Sequence, residues 1–242
     1  MRTLVIALFS AVALAMGALV WLHADSAGAQ QKFVLGSAQA QGDGASAEQF
    51  LTGVTQDVDA YWTRQFKEAG LSEPRVKYAW IPAGQRASSA CGDLDDSAAA
   101  YCPSDDTIYI SEAFATGIYT GALNRSLPGS AQGYGGAAGD FAVAYIVAHE
   151  YGHQIQHELG AFDSGLPTMR YELQADCYAG NWARSAYDDS RLEDGDLQEA
   201  LDAALAVGDF DTDNPGHHGT PEQRRAAWTN GFESGDPSAC TL

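Results

Sequence analysis

Basic residues are scarce in this sequence, and their scarcity argues against one large class of partners. The chain of 242 residues has 13 lysines and arginines against 32 aspartates and glutamates, which gives a formal net charge of −19. A chain this acidic repels phosphate backbones, so we predict no nucleic-acid binding. The charge bears on solubility and does not identify a substrate.

Two patterns that often mark binding sites are also missing. The four cysteines (Cys91, Cys102, Cys177 and Cys240) show no Cys-x-x-Cys spacing, which disfavours a zinc site made of thiolates. The glycine-rich segment 128–139 lacks the lysine of a phosphate-binding loop, so it is interpreted as a surface loop. The cysteines are therefore better explained as disulfides than as metal ligands.

The long hydrophobic run of the chain lies at its beginning. Arg2 precedes an apolar run over residues 4–22, and small residues follow at 27–29. This order is typical of an export signal, but the run also approaches the length of a membrane anchor. We therefore predict a secreted or extracytoplasmic protein, with a membrane tether through the apolar run as the alternative to cleavage. Residues 1–29 form that signal or anchor, and a flexible linker rich in Gln, Ala, Gly and Ser follows at 30–45.

An even number of cysteines in an exported chain predicts two disulfides. Four cysteines allow three pairings. We favour Cys91–Cys102, which closes a short loop, and Cys177–Cys240, which ties down the C-terminal segment. Disulfides of this kind persist in oxidising compartments, which agrees with export.

The first half of the chain predicts one helix followed by strands. Ser46 and Gln49 have the spacing of a capping box, and the aromatic and aliphatic stripe that follows ends before Gly70. This stripe is interpreted as core. Strands are predicted at 76–81 and 107–111, with a polar loop between the first two cysteines.

The second half of the chain is predicted to be helical. Asp140 is a candidate N-cap for the first of these helices. The helices are predicted over residues 141–159, 168–187 and 197–207 and after Pro221. Strands early and helices late indicate an α+β fold, in one domain over residues 46–242.

The segment His149-Glu150-Tyr151-Gly152-His153 predicts a metal site. Histidines four residues apart on a helix lie one turn above each other, so both rings can reach one ion. Glu150 lies about 100° round the helix from His149, beside the ion and not bound to it. There it can act as general base and take a proton from a zinc-bound water. The pattern also arises by chance, and the alternative is a pair of histidines on a solvated or buried helix face.

A catalytic zinc needs a third protein ligand and one open position. His157 extends the row by one turn, but a single straight helix cannot surround an ion, so it is interpreted as a rim residue. The metzincin pattern fails at Gln156 and Leu159, where it needs glycine and histidine. Glu172, on the next predicted helix, completes a His2Glu site for one Zn2+ per chain. Asp176 is then placed to accept a hydrogen bond from a ligand histidine, unless both acids lie on an exposed acidic face.

Three motifs in this order resemble the putative neutral zinc metallopeptidase family. They are Ala148-His-Glu-Tyr-Gly-His153, Glu172-Leu-Gln-Ala-Asp-Cys-Tyr-Ala-Gly180 and His218-Gly-Thr-Pro-Glu-Gln-Arg224. The stretch from Tyr101 to Ile110 is similar to that family too. The resemblance covers most of the chain after the linker, and it is gluzincin-like, because HExxH is joined to a distal Glu within ExxxD.

The resemblance implies a zincin-like metallopeptidase domain, in which a small antiparallel or mixed sheet borders a bundle of active-site helices. It implies that the segment 107–111 is the edge strand beside the active-site helix, where an extended peptide adds as a further strand. It also implies the pairing of Cys177 with Cys240. His218 resembles the transition-state histidine of related gluzincins, with a capping or loop role as the alternative, and either His217 or His218 is a candidate to reach the site.

The predicted function is zinc-dependent hydrolysis of peptide bonds in a peptide or protein substrate. Glu150 takes a proton from the attacking water and delivers it to the leaving amine. An endopeptidase is favoured over an exopeptidase. The alternatives are a catalytically inactive metal-binding interaction domain of the same fold and a structural surface domain rich in disulfides.

Overall fold

The computed structural model describes residues 46–242, so the predicted export segment and the linker lie outside the described residues. The described chain combines α-helices with short strands, which confirms the α+β class. The helices are α1 (Ala47–Glu68), α2 (Glu112–Tyr119), α3 (Asp140–Glu158), α4 (Thr168–Asp188), α5 (Asp196–Val207) and α6 (Pro221–Ser234). The strands are β1 (Lys77–Ile81), β2 (Ala87–Ser89), β3 (Gly92–Leu94), β4 (Ala99–Cys102) and β5 (Thr107–Ser111).

The helix beginnings follow the capping signals, with one exception. At α1 the Ser46 hydroxyl accepts from the Gln49 N–H at 3.2 Å, and the Gln49 side chain accepts from the Ser46 N–H at 3.0 Å. The prediction that Asp140 caps α3 is wrong, because Asp140 is the first helical residue. Glu199 of α5 accepts from the second N–H of α3 instead, at 3.0 Å, so the cap comes from a distant segment.

The main sheet has the strand order β1-β5-β4, with β1 parallel and β4 antiparallel to β5. The implied placement of 107–111 at the edge is therefore wrong: this segment is the central strand, and all its residues are buried. The edge strand beside α3 is β4. The polar loop predicted between Cys91 and Cys102 is also wrong in part, because β3 and β4 lie within it. Small alanines at 98–100 carry too weak a strand signal to predict β4.

Helix α3 lies at the centre of the core. Nearly every residue from Phe141 to Gln156 is buried, because α1, α4, α5 and the sheet all contact this helix. The aromatic stripe of α1 is part of the same core, as predicted. A helix enclosed in this way holds its polar side chains in fixed positions, and it carries the two histidines of the motif.

Glycines allow α4 to contact its neighbours backbone to backbone. A Cβ atom at Gly180 would lie 2.1 Å from the Trp228 carbonyl oxygen, and one at Gly231 would lie 1.9 Å from the Cys177 carbonyl oxygen. No larger residue fits these positions without moving α6 away from α4. The same helix contacts α3 at Gly152, where a Cβ atom would lie 3.0 Å from the Ala175 backbone. Helix α4 is therefore tightly packed between α3 and α6.

The cysteines form two disulfides. Cys91 is bonded to Cys102 and Cys177 to Cys240, and none of the four is free. Such bonds are typical of an oxidising environment outside the cytoplasm. Within residues 46–242, no helix combines the length and apolar character needed to cross a membrane.

Candidate active site

Helices α3 and α4 bring three potential metal ligands together. The His149 Nε2 atom lies 3.2 Å from one carboxylate oxygen of Glu172, and the His153 Nε2 atom lies 3.3 Å from the other. One ligand atom from each of these residues lies within 4.8 Å of the other two. The predicted ligands His149, His153 and Glu172 therefore share one point between the helices.

The spacing of these atoms fits a zinc ion. Nitrogen and oxygen ligands at about 2.0–2.2 Å from a tetrahedral zinc are separated from each other by about 3.3–3.6 Å. The two nitrogen–oxygen separations, 3.2 and 3.3 Å, each to a different oxygen of Glu172, are close to that value. Two imidazoles and one carboxylate are also a ligand set of catalytic zinc sites. The donor set fits zinc in its chemistry, and its atoms lie close enough together to share one ion.

The sequence produces this arrangement through helix periodicity and one glycine. His149 and His153 are one turn apart on α3, so both rings point to the same side. Gly152 lies between them and allows the α4 backbone to approach α3 at Ala175. Glu172 is nearly one turn before Ala175 on α4, which places its carboxylate opposite the two rings.

His149 is held by a buried acid on α4, as the sequence predicted for Asp176. The His149 Nδ1 atom lies 2.9 Å from one carboxylate oxygen of Asp176, which also accepts from the Tyr145 hydroxyl at 2.7 Å. Asp176 is fully buried. When Nδ1 donates to this carboxylate, the lone pair of Nε2 faces Glu172 and is available to a metal.

Arg224 of α6 is a buried partner of these acids, to which the sequence analysis gave no role. Its Nε atom hydrogen-bonds one carboxylate oxygen of Asp176, and a terminal nitrogen donates to the other at 2.9 Å. Its second terminal nitrogen lies 3.6 Å from Glu172. Arg224 is 3% exposed. The only signal for it was its position at the end of the third motif.

The charges of this cluster shift the pKa values of its members in opposing ways. Burial raises the pKa of the Glu172 carboxyl, but His153 and His149 lower it by more, so it lies well below its ordinary value. Burial likewise raises the pKa of Asp176, but Arg224 and His149 lower it overall. Both acids are therefore anionic at neutral pH, which suits a ligand and a hydrogen-bond acceptor.

Glu150 lies in a cavity beside the ligand atoms. The cavity has a volume of about 380 Å3, and Glu150 lines it together with His149, His153 and Glu172. One Glu150 carboxylate oxygen accepts a hydrogen bond from the Tyr101 N–H at 2.8 Å. Strand β4 lines the same cavity, and apolar side chains complete its wall: Phe114, Pro128, Ile146 and Val207.

The two adjacent histidines before α6 occupy different environments. His218 lines the cavity, its side chain is 56% exposed, and its N–H donates to an Asp209 carboxylate oxygen at 2.8 Å. His217 is buried, and its Nδ1 atom lies 2.5 Å from the other oxygen of Asp209. Of these two histidines, only His218 lines the cavity.

His157 lies outside the ligand group and is not among the residues that line the cavity, so its role at the rim stays a prediction. Its side chain is 44% exposed, and its Nδ1 atom is hydrogen-bonded to the Tyr101 hydroxyl. That hydroxyl also donates to Asp106 at 2.8 Å. His157 therefore contacts Tyr101, the residue whose backbone N–H donates to Glu150.

A second group of acids lies where the first turns of α3 and α5 meet. One oxygen atom from each of Asp140, Asp196 and Glu199 falls within 4.8 Å of the others. Burial, together with the negative charges of Asp196 and Glu199, raises the pKa of Asp140 to about 7. Glu199 caps α3, and Asp196 accepts from the Glu193 N–H at 2.7 Å in the turn before α5.

Comparisons with known proteins identify the family. The model of the family described as putative neutral zinc metallopeptidase matches residues 2–242. The uncharacterized protein YpfJ of Escherichia coli K12 is 31% identical over 216 residues, 80% of this chain and 70% of that protein. The uncharacterized protein Mb2605 of Mycobacterium bovis is 33% identical over 232 residues, 81% of this chain and 72% of that protein. No solved structure matches the chain. With this match over almost its whole length and a ligand set suited to zinc, the chain belongs to the putative neutral zinc metallopeptidase family.

Proposed function

We propose that this protein hydrolyses peptide bonds in a zinc-dependent reaction with Glu150 as the general base. The observation that carries the proposal is the convergence of both histidine Nε2 atoms on Glu172, in a cavity that also contains Glu150. A ligand set alone would suit a structural metal. A carboxylate beside the ligands and an open cavity are what hydrolysis needs in addition.

Zinc in such a site supplies Lewis-acid chemistry, because it lowers the pKa of water and polarises a substrate carbonyl. The Glu150 carboxylate takes a proton from the attacking water and delivers it to the leaving amine. The Tyr101 N–H fixes one Glu150 oxygen at 2.8 Å and so orients the carboxylate. His218 lines the same cavity, where its imidazole N–H is a candidate donor to the negative charge that develops on the substrate oxygen.

The position of β4 at the edge of the sheet is evidence in favour of an extended peptide as the substrate. Ala100 and Cys102 face Tyr109 and Thr107 of β5, while the Tyr101 N–H points away from β5 to Glu150. By alternation, the backbone groups of Ala99 also point away from β5 and are placed to pair with a substrate strand. A strand-shaped site binds the middle of a chain, which favours an endopeptidase, and the apolar wall favours an apolar substrate side chain.

The experiment that tests the proposal compares Glu150→Gln with the wild type. We expect the purified wild type to contain about one zinc per chain and to cleave members of a mixed peptide library. Glu150→Gln should retain the zinc and lose cleavage. Glu158→Gln is the control, because Glu158 is on the same helix but bonds Arg75 and Gln154, outside the cavity. Cleavage by Glu150→Gln at the wild-type rate would refute the general base, and a protein without zinc would refute the metal site.

A further inference from the structure

His153 is held in a different way from His149. Its Nδ1 atom lies 2.8 Å from the Oε1 atom of Gln156, an amide three residues later on the same helix. An amide can present either its oxygen or its nitrogen, so this contact alone does not fix which atom of the ring carries hydrogen. The neighbours of Gln156 decide the question.

The carbonyl of Cys240 determines the orientation of the first amide in this network, that of Gln174. A carbonyl oxygen can only accept, and the Gln174 Nε2 atom lies 2.8 Å from it. The amide nitrogen of Gln174 must therefore face Cys240, which leaves its Oε1 atom on the opposite side as an acceptor. The Cys177–Cys240 disulfide ties that carbonyl to α4, the helix that carries Gln174.

The orientation of Gln174 then fixes that of Gln156. The Gln156 Nε2 atom lies 3.1 Å from Gln174 Oε1 and 2.7 Å from the carbonyl oxygen of Tyr171. Two acceptors face this nitrogen, so the amide cannot be turned round without placing oxygen against oxygen. Its Oε1 atom must accept from His153 Nδ1, and the hydrogen is on Nδ1. The Nε2 atom is therefore the one directed to Glu172.

Burial makes this network hard to break. Gln156 is fully buried and Gln174 is 7% exposed, so a lost hydrogen bond in the network leaves a buried polar group without a partner. An amide also suits this position electrostatically. Arg224 already balances Asp176 beside His149, and a second carboxylate behind His153 would need a further buried cation.

We propose that Gln156 and Gln174 are positioning residues that connect the disulfide-anchored carbonyl of Cys240 to His153 and hold the His153 ring with Nε2 towards the metal. The inference deepens the proposed metal site, and it rests on that site for its zinc readout. The network itself is independent of turnover, because it consists of hydrogen bonds between residues of the chain. Its failure can therefore be distinguished from failure of the proposed peptidase activity.

The test uses Gln156→Met with Gln154→Met as the matched control. Gln154 is on the same helix and is also fully buried, but its amide donates to the Arg75 carbonyl at 2.8 Å and accepts no hydrogen bond from a histidine. Both variants lose a buried amide, so a merely structural role predicts similar effects. The first readout is the rate at which the His153 Nδ1–H exchanges with water. It is measured by NMR on 15N-histidine-labelled protein, with and without zinc. The second is zinc affinity, measured by competition with a chelator.

We expect a slowly exchanging Nδ1–H in the wild type and in Gln154→Met, and its loss in Gln156→Met. Zinc affinity should fall by about tenfold or more in Gln156→Met and change little in the control. The proposal is overturned if the wild type lacks a protected Nδ1–H at His153, with zinc or without it. It is also overturned if Gln156→Met and Gln154→Met change zinc affinity equally. If Gln156→Met does not fold, a wild type without a protected Nδ1–H still overturns the proposal.

Discussion

Removal of the Cys177–Cys240 disulfide should destabilise the protein more than removal of Cys91–Cys102, because the two bonds close loops of different length. The bonded residues are 63 positions apart in the first and 11 in the second. The loop-entropy relation gives about 4.3 kcal/mol for the longer loop and about 2.8 kcal/mol for the shorter one. Cys177 and Cys240 are both buried, whereas Cys91 is exposed, so packing loss adds to the same difference.

The assay is chemical denaturation of two double variants, Cys177→Ala/Cys240→Ala and Cys91→Ala/Cys102→Ala, against the wild type. The free energy of unfolding should be highest for the wild type. It should be lower for Cys91→Ala/Cys102→Ala, the short-loop variant, and lowest for Cys177→Ala/Cys240→Ala, the long-loop variant. The two variants should differ by about 1.5 kcal/mol or more. The long-loop variant should also bind zinc more weakly, because it releases the carbonyl that anchors Gln174.

Two results would refute this reasoning. Equal stability of the two variants would show that native-state strain or residual structure in the unfolded chain outweighs loop length. Unchanged zinc affinity in the long-loop variant, together with the expected loss of stability, would show that the backbone holds the Cys240 carbonyl without the disulfide.

Three other substitutions test separate parts of the structure. Arg224→Met leaves the Asp176 carboxylate buried without its cation, and denaturant titration should show a loss of about 3–5 kcal/mol. The pKa of Asp140 is raised from its ordinary value of 3.8 to about 7 in the folded protein. Because the folded state holds this proton more tightly than the unfolded chain, wild-type stability falls as the pH rises from about 4 to 7. Asp140→Asn should flatten that dependence and be more stable than wild type at about pH 8, by on the order of 1 kcal/mol after solvent screening; a parallel pH profile would contradict this. Gly180→Ala places a methyl group against an α6 carbonyl, so its melting should show a loss of about 1–3 kcal/mol.

The parts of the fold that follow from local pattern could be predicted from the sequence. The capping box at Ser46, the proline at the start of α6 and the four-residue spacing of the motif histidines each act within one or two turns of chain. Asp176 follows the same logic, since it lies four residues after Glu172 and shares its face. For these features the physical cause is contained in neighbouring residues.

The features that depend on distant contacts could not be predicted. Strand order is one, because the residues of β5 indicate a strand but not which strands lie beside it. Arg224 is another, since it reaches Asp176 across 48 positions of sequence. Glycines at 129 and 135 indicated a loop, but the structure shows that they allow contact with α5 carbonyls, where a Cβ atom would lie 2.0 and 2.4 Å away.

The close contacts of α4 have a consequence for recognition. Gly152, Gly180 and Gly231 allow α4 to pack tightly between α3 and α6, so the proposed metal ligands and Arg224 are held as one rigid group. Little conformational entropy remains to be lost at that end of the cleft when a molecule binds. The segment before α6 that carries His218 is outside these glycine contacts, and the His218 side chain is 56% exposed. For the proposed peptidase, we therefore expect small chelating inhibitors to bind this group of residues without rearranging it.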